Sequence, residues 1–264
     1  MNFYPILASE HGGQIDRVLW MVLAFITVLF FGWLTFFVVA LLRFRKSRNP
    51  VADYRGVRNH RTYYVEAGVI AVEVVLLLGF SIPFWARHVT AAPLPDEAPL
   101  HVRVVAQQFV WNIHYPGADG VFGRTAPEFV DEQLNPVGLD PDDAAGKDDI
   151  VSRNILYLPA GRPVLISMTS KDVVHSFYLP ELRVKKDTIP GMVVDVMFTP
   201  TMTTLELQQR TGQPGRRFEI ACAQLCGLGH YSMRGFLDVL EPEDFEKWLE
   251  ENAPGDSDDD WPEF

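Results

Sequence analysis

The sequence predicts a membrane-anchored all-β protein, in which a hairpin of two N-terminal transmembrane helices is followed by a β-sandwich or barrel. Three observations carry this. Val18–Leu42 runs twenty-five residues without a charge, more than the roughly 20 that cross a hydrocarbon core as a helix. A second apolar stretch, from about Val65 to Trp85, is interrupted only by Glu66 and Glu73. Beyond it, short runs of alternating or β-branched residues are punctuated by Gly and Pro, which is the pattern of many short strands.

Taken in order, residues 1–17 form an N-terminal segment and 18–86 the helical hairpin. The first apolar run is a retained span. A signal peptide has an apolar core of only about 7–15 residues and a small-residue cleavage site, whereas Arg43-Phe44-Arg45-Lys46 follows here. The loop 43–64 holds Arg43, Arg45, Lys46, Arg48, Arg55, Arg58 and Arg61 against Asp53 alone. The positive-inside rule makes such a loop cytoplasmic, which puts both termini and the β domain on the other side. In the second span Glu66 falls near the interface. Glu73 falls within the bilayer, where a carboxylate is costly and faces protein or a cavity.

Residues 87–99, with Pro93, Pro95 and Pro99, read as a linker to a domain spanning 100–252. Within it Leu100–Tyr115, Pro163–Thr169, Val193–Thr199, Arg217–Ala223 and Gly235–Leu240 are expected strands, and Pro242–Glu251 an expected helix with acidic residues in its first turn. Residues 116–150 read as a long acidic loop, and 253–264 as an acidic tail too highly charged to pack. The net charge of −11 is divided unevenly. Residues 1–86 carry eight Lys/Arg and five Asp/Glu, and residues 87–264 fifteen and twenty-nine. An acidic field of this kind repels nucleic acid and attracts basic partners.

The chemistry concentrates in Cys222-Ala-Gln224-Leu-Cys226-Gly-Leu-Gly-His230-Tyr-Ser-Met233, which contains both cysteines of the chain. Thiolate, imidazole and thioether together are soft ligands that select copper over oxygen-seeking metals. A zinc site more usually offers four Cys/His ligands and no Met. In an oxidising compartment the two cysteines could instead form a disulfide. A copper site needs another imidazole, and of the seven histidines His175 stands out, just after the expected strand 163–169 and flanked by Phe177 and Tyr178. By position alone it reads more readily as a hydrogen-bonded structural residue than as a ligand.

Two motifs in order behind two spans make the chain resemble subunit II of the haem-copper cytochrome c oxidases. The first is Asp172-Val-Val-His175-Ser-Phe-Tyr-Leu-Pro180 followed by Asp187-Thr-Ile-Pro190-Gly191, and the second is the Cys222–Met233 segment. The resemblance covers nearly the whole chain. It implies a cupredoxin-like domain holding a dinuclear copper centre (CuA), with Cys222 and Cys226 as bridging thiolates. His175 and His230 would each ligate one copper, Met233 would be a weak axial ligand, and the Gln224 carbonyl would complete the set. It further implies an electron-transfer role in a respiratory oxidase of the bacterial inner membrane, with the copper domain periplasmic. The implied partners are subunits I and III, membrane lipid, and a cytochrome c with a basic docking face. Because only two Cys are present, no covalent C-x-x-C-H haem motif occurs in this sequence, and the donor is expected to be a separate protein.

The chain departs from the family at several positions. Gln224 stands where Glu commonly reaches a Mg²⁺ at the subunit I boundary, and a neutral amide is a poorer ligand for a hard cation. That second metal site is therefore expected to be weak or to be built from other residues. In the family's Q-W-Y-W segment, here Gln108-Phe109-Val110-Trp111, Phe109 replaces the Trp through which electrons are accepted. Phe109 and Trp111 are expected to share one face of a strand, Trp111 as a core residue. Glu66 occupies the place of a Glu at the mouth of a proton path, and Met192 the place of an Arg. Three rivals are disfavoured. A thioredoxin-like copper carrier has C-x3-C-P, a quinol-oxidase subunit II lacks the ligands, and nitrous oxide reductase needs a large extra domain.

Overall fold

A computed structural model of the chain describes residues 4–51, 54–55, 59–89 and 98–254. It divides into two compact units, Gln14–Pro93 and Met1–Gly13 together with Leu94–Phe264.

The first unit is helical. Helix α1, Gly12–Arg43, is 32 residues long and so about 48 Å at 1.5 Å per residue. The second helix begins as α2, Arg61–Leu76, widens through a π-helical turn at Leu77–Ser81 and continues as α3, Ile82–Val89. The wide turn ends two residues before Pro83, which has no amide proton to extend the ordinary ladder; the Ile82 N–H reaches back five residues to Leu77 O. Both helices are long and apolar enough to cross a membrane, with mean hydropathies of 2.5 and 2.2 over their most apolar windows. Glu66 and Glu73 are exposed on α2 and lie seven residues apart, on one face of the helix.

The second unit is a sandwich of two five-stranded sheets, with strand orders β3-β2-β1-β5-β8 and β4-β10-β9-β6-β7. The strands are β1 Leu100–Gln107, β2 Val110–Tyr115, β3 Ile150–Arg153, β4 Ile155–Pro159, β5 Val164–Ser170, β6 His175–Leu179, β7 Val184–Thr188, β8 Val194–Phe198, β9 Phe218–Cys222 and β10 Arg234–Leu240. Helices α4, Thr204–Thr211, and α5, Pro242–Asn252, complete it. The core lies between the sheets. Val102, Val104, Ile166 and Met168 from one face meet Leu156, Phe177, Ile220 and Leu237 from the other, all fully buried. Strict alternation along β1 and β5 produces this packing, because successive side chains point to opposite faces.

Leu100–Tyr115 is a hairpin of two strands, with Gln107 paired to Val110 across the two-residue turn Gln108–Phe109. No Gly, Asn or Asp marks that turn, so the usual hairpin signal is missing. Strands β3, β4, β6 and β7 were not expected. Four of the five β6 residues are buried, which erases alternation, and β7 is an edge strand carrying Lys185 and Lys186. Helix α4 had a readable start in its capping box, Thr203 with Glu206, and a readable stop in Gly212 at φ 64°.

The acidic segment 116–150 is built from its own carboxylates and is less solvated than its composition suggests. Asp148 accepts the Ala118 and Asp119 amides, Asp131 those of Gln133 and Leu134, and Asp149 that of Gly123. Asp149 also pairs with His114 at 2.6 Å, both side chains buried.

The N-terminal segment is likewise part of the β unit. Ala8 donates to Glu181 O and its own carbonyl accepts from Thr201 N, at 2.8 and 2.9 Å. The Ser9 hydroxyl bonds Leu182 O, and the Arg183 guanidinium lies over the Tyr4 ring. The chain therefore leaves the β unit, runs through the two apolar helices and returns to it. The linker's residues 90–97 and the tail's residues 255–264 lie outside the described residues.

Candidate metal centre

Strands β6 and β9 are antiparallel neighbours, with Phe177 opposite Cys222. This register places His175, the first residue of β6, and Cys222, the last of β9, at the same end of the sheet. His175 thus follows β5, as expected from the sequence, and also opens a strand of its own, β6. From Cys222 the chain loops through Gln224 and Cys226, makes a 3-10 turn at His230–Ser232 and re-enters the sheet after Met233. One loop at one end of the sheet gathers the whole motif.

The nitrogen and sulfur donors of His175, Cys222 and Cys226 lie within 4.8 Å of one another. Cys222 Sγ is 4.0 Å from His175 Nδ1, 3.8 Å from Cys226 Sγ and 3.2 Å from the Gln224 carbonyl. Cys226 Sγ is 3.6 Å from His230 Nδ1 and 3.8 Å from Met233 Sδ. All six expected ligand residues thus converge, and both thiols are free. The donors are two sulfurs, two imidazole nitrogens, a thioether and a carbonyl, a soft set that fits copper. His175, Cys226 and Met233 are buried, so the ligands are presented by a packed scaffold.

Asp172 organises the upstream half. One carboxylate oxygen meets His175 Nε2 at 2.8 Å and the Val173 amide, and the other accepts the Gln108 amide at 2.7 Å. Burial opposes ionisation of Asp172, but the hydrogen bonds from His175, Gln108 and Val173 outweigh it and hold the carboxyl below its ordinary range. With Nε2 engaged, Nδ1 is the nitrogen turned toward the thiols, the usual arrangement of an oriented metal-binding imidazole. Burial and the adjacent Cys222 push the Cys226 thiol above its ordinary range. Metal binding requires the opposite form, the thiolate.

Phe109 and Trp111 do not share a strand face. Trp111 is in β2, fully buried, with its ring edge-on to Phe177 at 5.3 Å and 6.2 Å from the His175 ring. Phe109 sits in the β1–β2 turn and packs on the metal loop. A Cβ on Gly229 would come within 2.5 Å of its ring. The Gln224 side chain is exposed, as are Leu225, Leu228 and Tyr231 around it. Glu66 belongs to the helical unit. Sequence reasoning assigned no part to Asp172 or Gln108. The Asp172–His175 spacing of three residues was the available signal.

The family model described as "Cytochrome C oxidase subunit II, periplasmic domain" matches residues 100–239. "Alternative cytochrome c oxidase subunit 2" of Bradyrhizobium diazoefficiens is 32% identical over 244 residues, covering 92% of this chain and 82% of the relative. "Cytochrome c oxidase subunit 2" of Cereibacter sphaeroides is 25% identical over 265 residues, covering 95% and 78%. Among solved structures, the periplasmic domain of subunit II of cytochrome oxidase of Bradyrhizobium japonicum is 26% identical with a TM-score of 0.41, covering 61% of this chain and 96% of that one. With the family match spanning more than half of its length and a relative matched almost end to end, the chain belongs to the cytochrome c oxidase subunit II family.

Proposed function

We propose that this chain is the electron-accepting subunit of a respiratory cytochrome c oxidase. It would take electrons from a cytochrome c at a dinuclear copper centre and pass them to haem in subunit I, where O₂ is reduced and protons are translocated. The observation that carries this reading is the convergence of His175, Cys222, the Gln224 carbonyl, Cys226, His230 and Met233 on one loop and one strand end. When bound there, a copper pair supplies a one-electron carrier with its charge spread over two metals and two thiolates. The protein's own part is to keep the ligands still. Asp172 orients His175, the β6–β9 pairing fixes Cys222 and His175 in register, and burial excludes water from Cys226 and Met233. Neither a proton donor nor an open coordination position is needed, because no bond is made or broken.

The full chain in detergent, loaded with copper, is expected to be purple and to show an electron paramagnetic resonance hyperfine pattern of one electron shared by two coppers. A mononuclear copper spectrum would sink the reading. Since Gln224 offers a neutral amide, no tight Mg²⁺ site is proposed beside the copper.

We place the β unit and N-terminus on the periplasmic side of a bacterial inner membrane, supported by the basic loop 43–64. Subunits I and III are the proposed neighbours in the lipid. Glu66, proposed at the mouth of a proton path, shares its helix face with Glu73, and this is the face we turn toward subunit I. The proposed donor is a c-type cytochrome with a basic face, accepted near Phe109 over the buried Trp111. The acidic charge of residues 87–264 supports that choice, with Glu132 exposed beside the β1–β2 hairpin, where it bonds Gln107. Raising ionic strength should therefore slow turnover at limiting cytochrome c by about tenfold or more. A flat response in a salt series of steady-state rates would count against acidic steering.

A further inference from the structure

We infer that Gln108 is a positioning residue that locks together the two halves of the metal site. The inference rests on the copper reading above and deepens it. Gln108 is an exposed residue in the two-residue turn between β1 and β2, where a long polar side chain would ordinarily point to water. Here it is committed at both ends. Its backbone N–H donates to Asp172 Oδ2 at 2.7 Å, and its side-chain amide Nε2 donates to the Cys226 carbonyl at 2.5 Å.

Those two acceptors belong to different parts of the centre. Asp172 holds His175 Nε2 through its other oxygen, so the backbone bond braces the upstream imidazole. Cys226 lies in the downstream loop, with His230 and Met233 in contact with its sulfur, so the amide bond braces the loop that carries the remaining ligands. The hairpin making both bonds comes from the sheet opposite the one that carries His175 and Cys222. Gln108 thereby ties the ligand-bearing end of one sheet to the two-residue turn of the other.

The local sequence is shaped to admit this contact. Gly227, immediately after Cys226, has φ 137°, and a Cβ there would lie 2.6 Å from Gln108 Nε2. A side chain at position 227 would therefore both strain the backbone and displace the amide. Phe109 covers Gly229 on the same loop, so two consecutive turn residues grip two nearby glycines. The chemistry also selects the residue type. An amide of this length can donate to a carbonyl without adding charge beside Asp172. A glutamate of the same shape would set oxygen against oxygen, and a leucine would offer no donor.

The test uses the full chain in detergent and compares wild type with Gln108→Glu and Gln108→Leu. The first variant is nearly isosteric and sits in an exposed turn, so folding is retained, which the melting temperature checks. In the metal-free protein, backbone hydrogen exchange across residues 223–233 should be about tenfold faster in both variants, as expected for loss of one hydrogen bond that restrains a loop. In the copper-loaded protein, loss of copper to a competing chelator should be about 10–100-fold easier, the usual cost of removing a support behind the ligands. If wild type holds no copper pair, the copper reading fails, and this inference falls with it. If wild type holds the pair and both variants match it in exchange and in copper retention, the positioning role of Gln108 alone is overturned.

Discussion

Replacing His175 with alanine in the copper-loaded protein is expected to abolish the mixed-valence signal altogether. His175 is fully buried at the start of β6, with one ring nitrogen on Asp172 and the other 4.0 Å from Cys222 Sγ. Alanine removes an imidazole that nothing nearby can replace, since His230 faces Cys226 from the other side of the loop. It also leaves the Asp172 carboxylate without its main side-chain partner beside the site. Metal affinity should fall by about 100-fold or more, beyond what removing a supporting contact alone does. The measurements are the resonance spectrum, the visible absorbance and the copper-to-protein ratio after dialysis. The pair is expected to give way to a single copper with a localised electron, or to none. A surviving delocalised signal would mean that the upstream ligand has been misassigned. Gln108→Glu, by contrast, should retain the signal while releasing copper faster, so the two substitutions separate a ligand from its brace.

Replacing Trp111 with alanine should have the largest effect on folding. The side chain is the bulkiest of the fully buried ones and stands in β2 against Phe177 and His175. Truncating a buried aromatic to alanine costs about 3–5 kcal/mol through lost transfer energy and the cavity left behind. That is a large part of the typical 5–15 kcal/mol that holds a domain together. Urea unfolding followed by circular dichroism should show the midpoint falling accordingly. Trp111→Phe, which keeps most of the apolar volume, should lose much less. Because the same ring walls off His175, the alanine variant should also release copper more readily in its folded state. An unfolding free energy within about 0.5 kcal/mol of wild type, the range of ordinary surface substitutions, would show that Trp111 does not serve the core as its burial implies.

The ease with which parts of this protein could be read follows from how locally each is encoded. The spans were legible because lipid tolerates only long apolar helices with satisfied backbones, and Val18–Leu42 meets that test by itself. The structure extends that helix to Gly12–Arg43, since a helix does not stop where hydrophobicity does. Strands β1 and β5 were legible through alternation. The turn at Gln108–Phe109 was not, because it lacks the residues that ordinarily announce one. Strand β6 was hidden for a related reason, since burial on both sides removes the alternation that reveals a half-exposed strand.

The metal site divides in the same way. Cys222, Cys226, His230 and Met233 lie within twelve residues, so their ligand chemistry could be read directly from spacing and softness. His175 is separated from Cys222 by 47 positions; its place after an expected strand marked it only as one candidate, and the family's first motif drew it in. Family membership follows from the sequence as a whole, since relatives match it almost end to end. What only the tertiary structure decided is how the ligands are held: the β6–β9 register that aligns His175 with Cys222, the Asp172 carboxylate behind the imidazole, and the Gln108 turn reaching across from the opposite sheet. These contacts join residues far apart in the chain through single hydrogen bonds. Neither composition nor periodicity records such contacts, because each depends on where two sheets come to rest against each other.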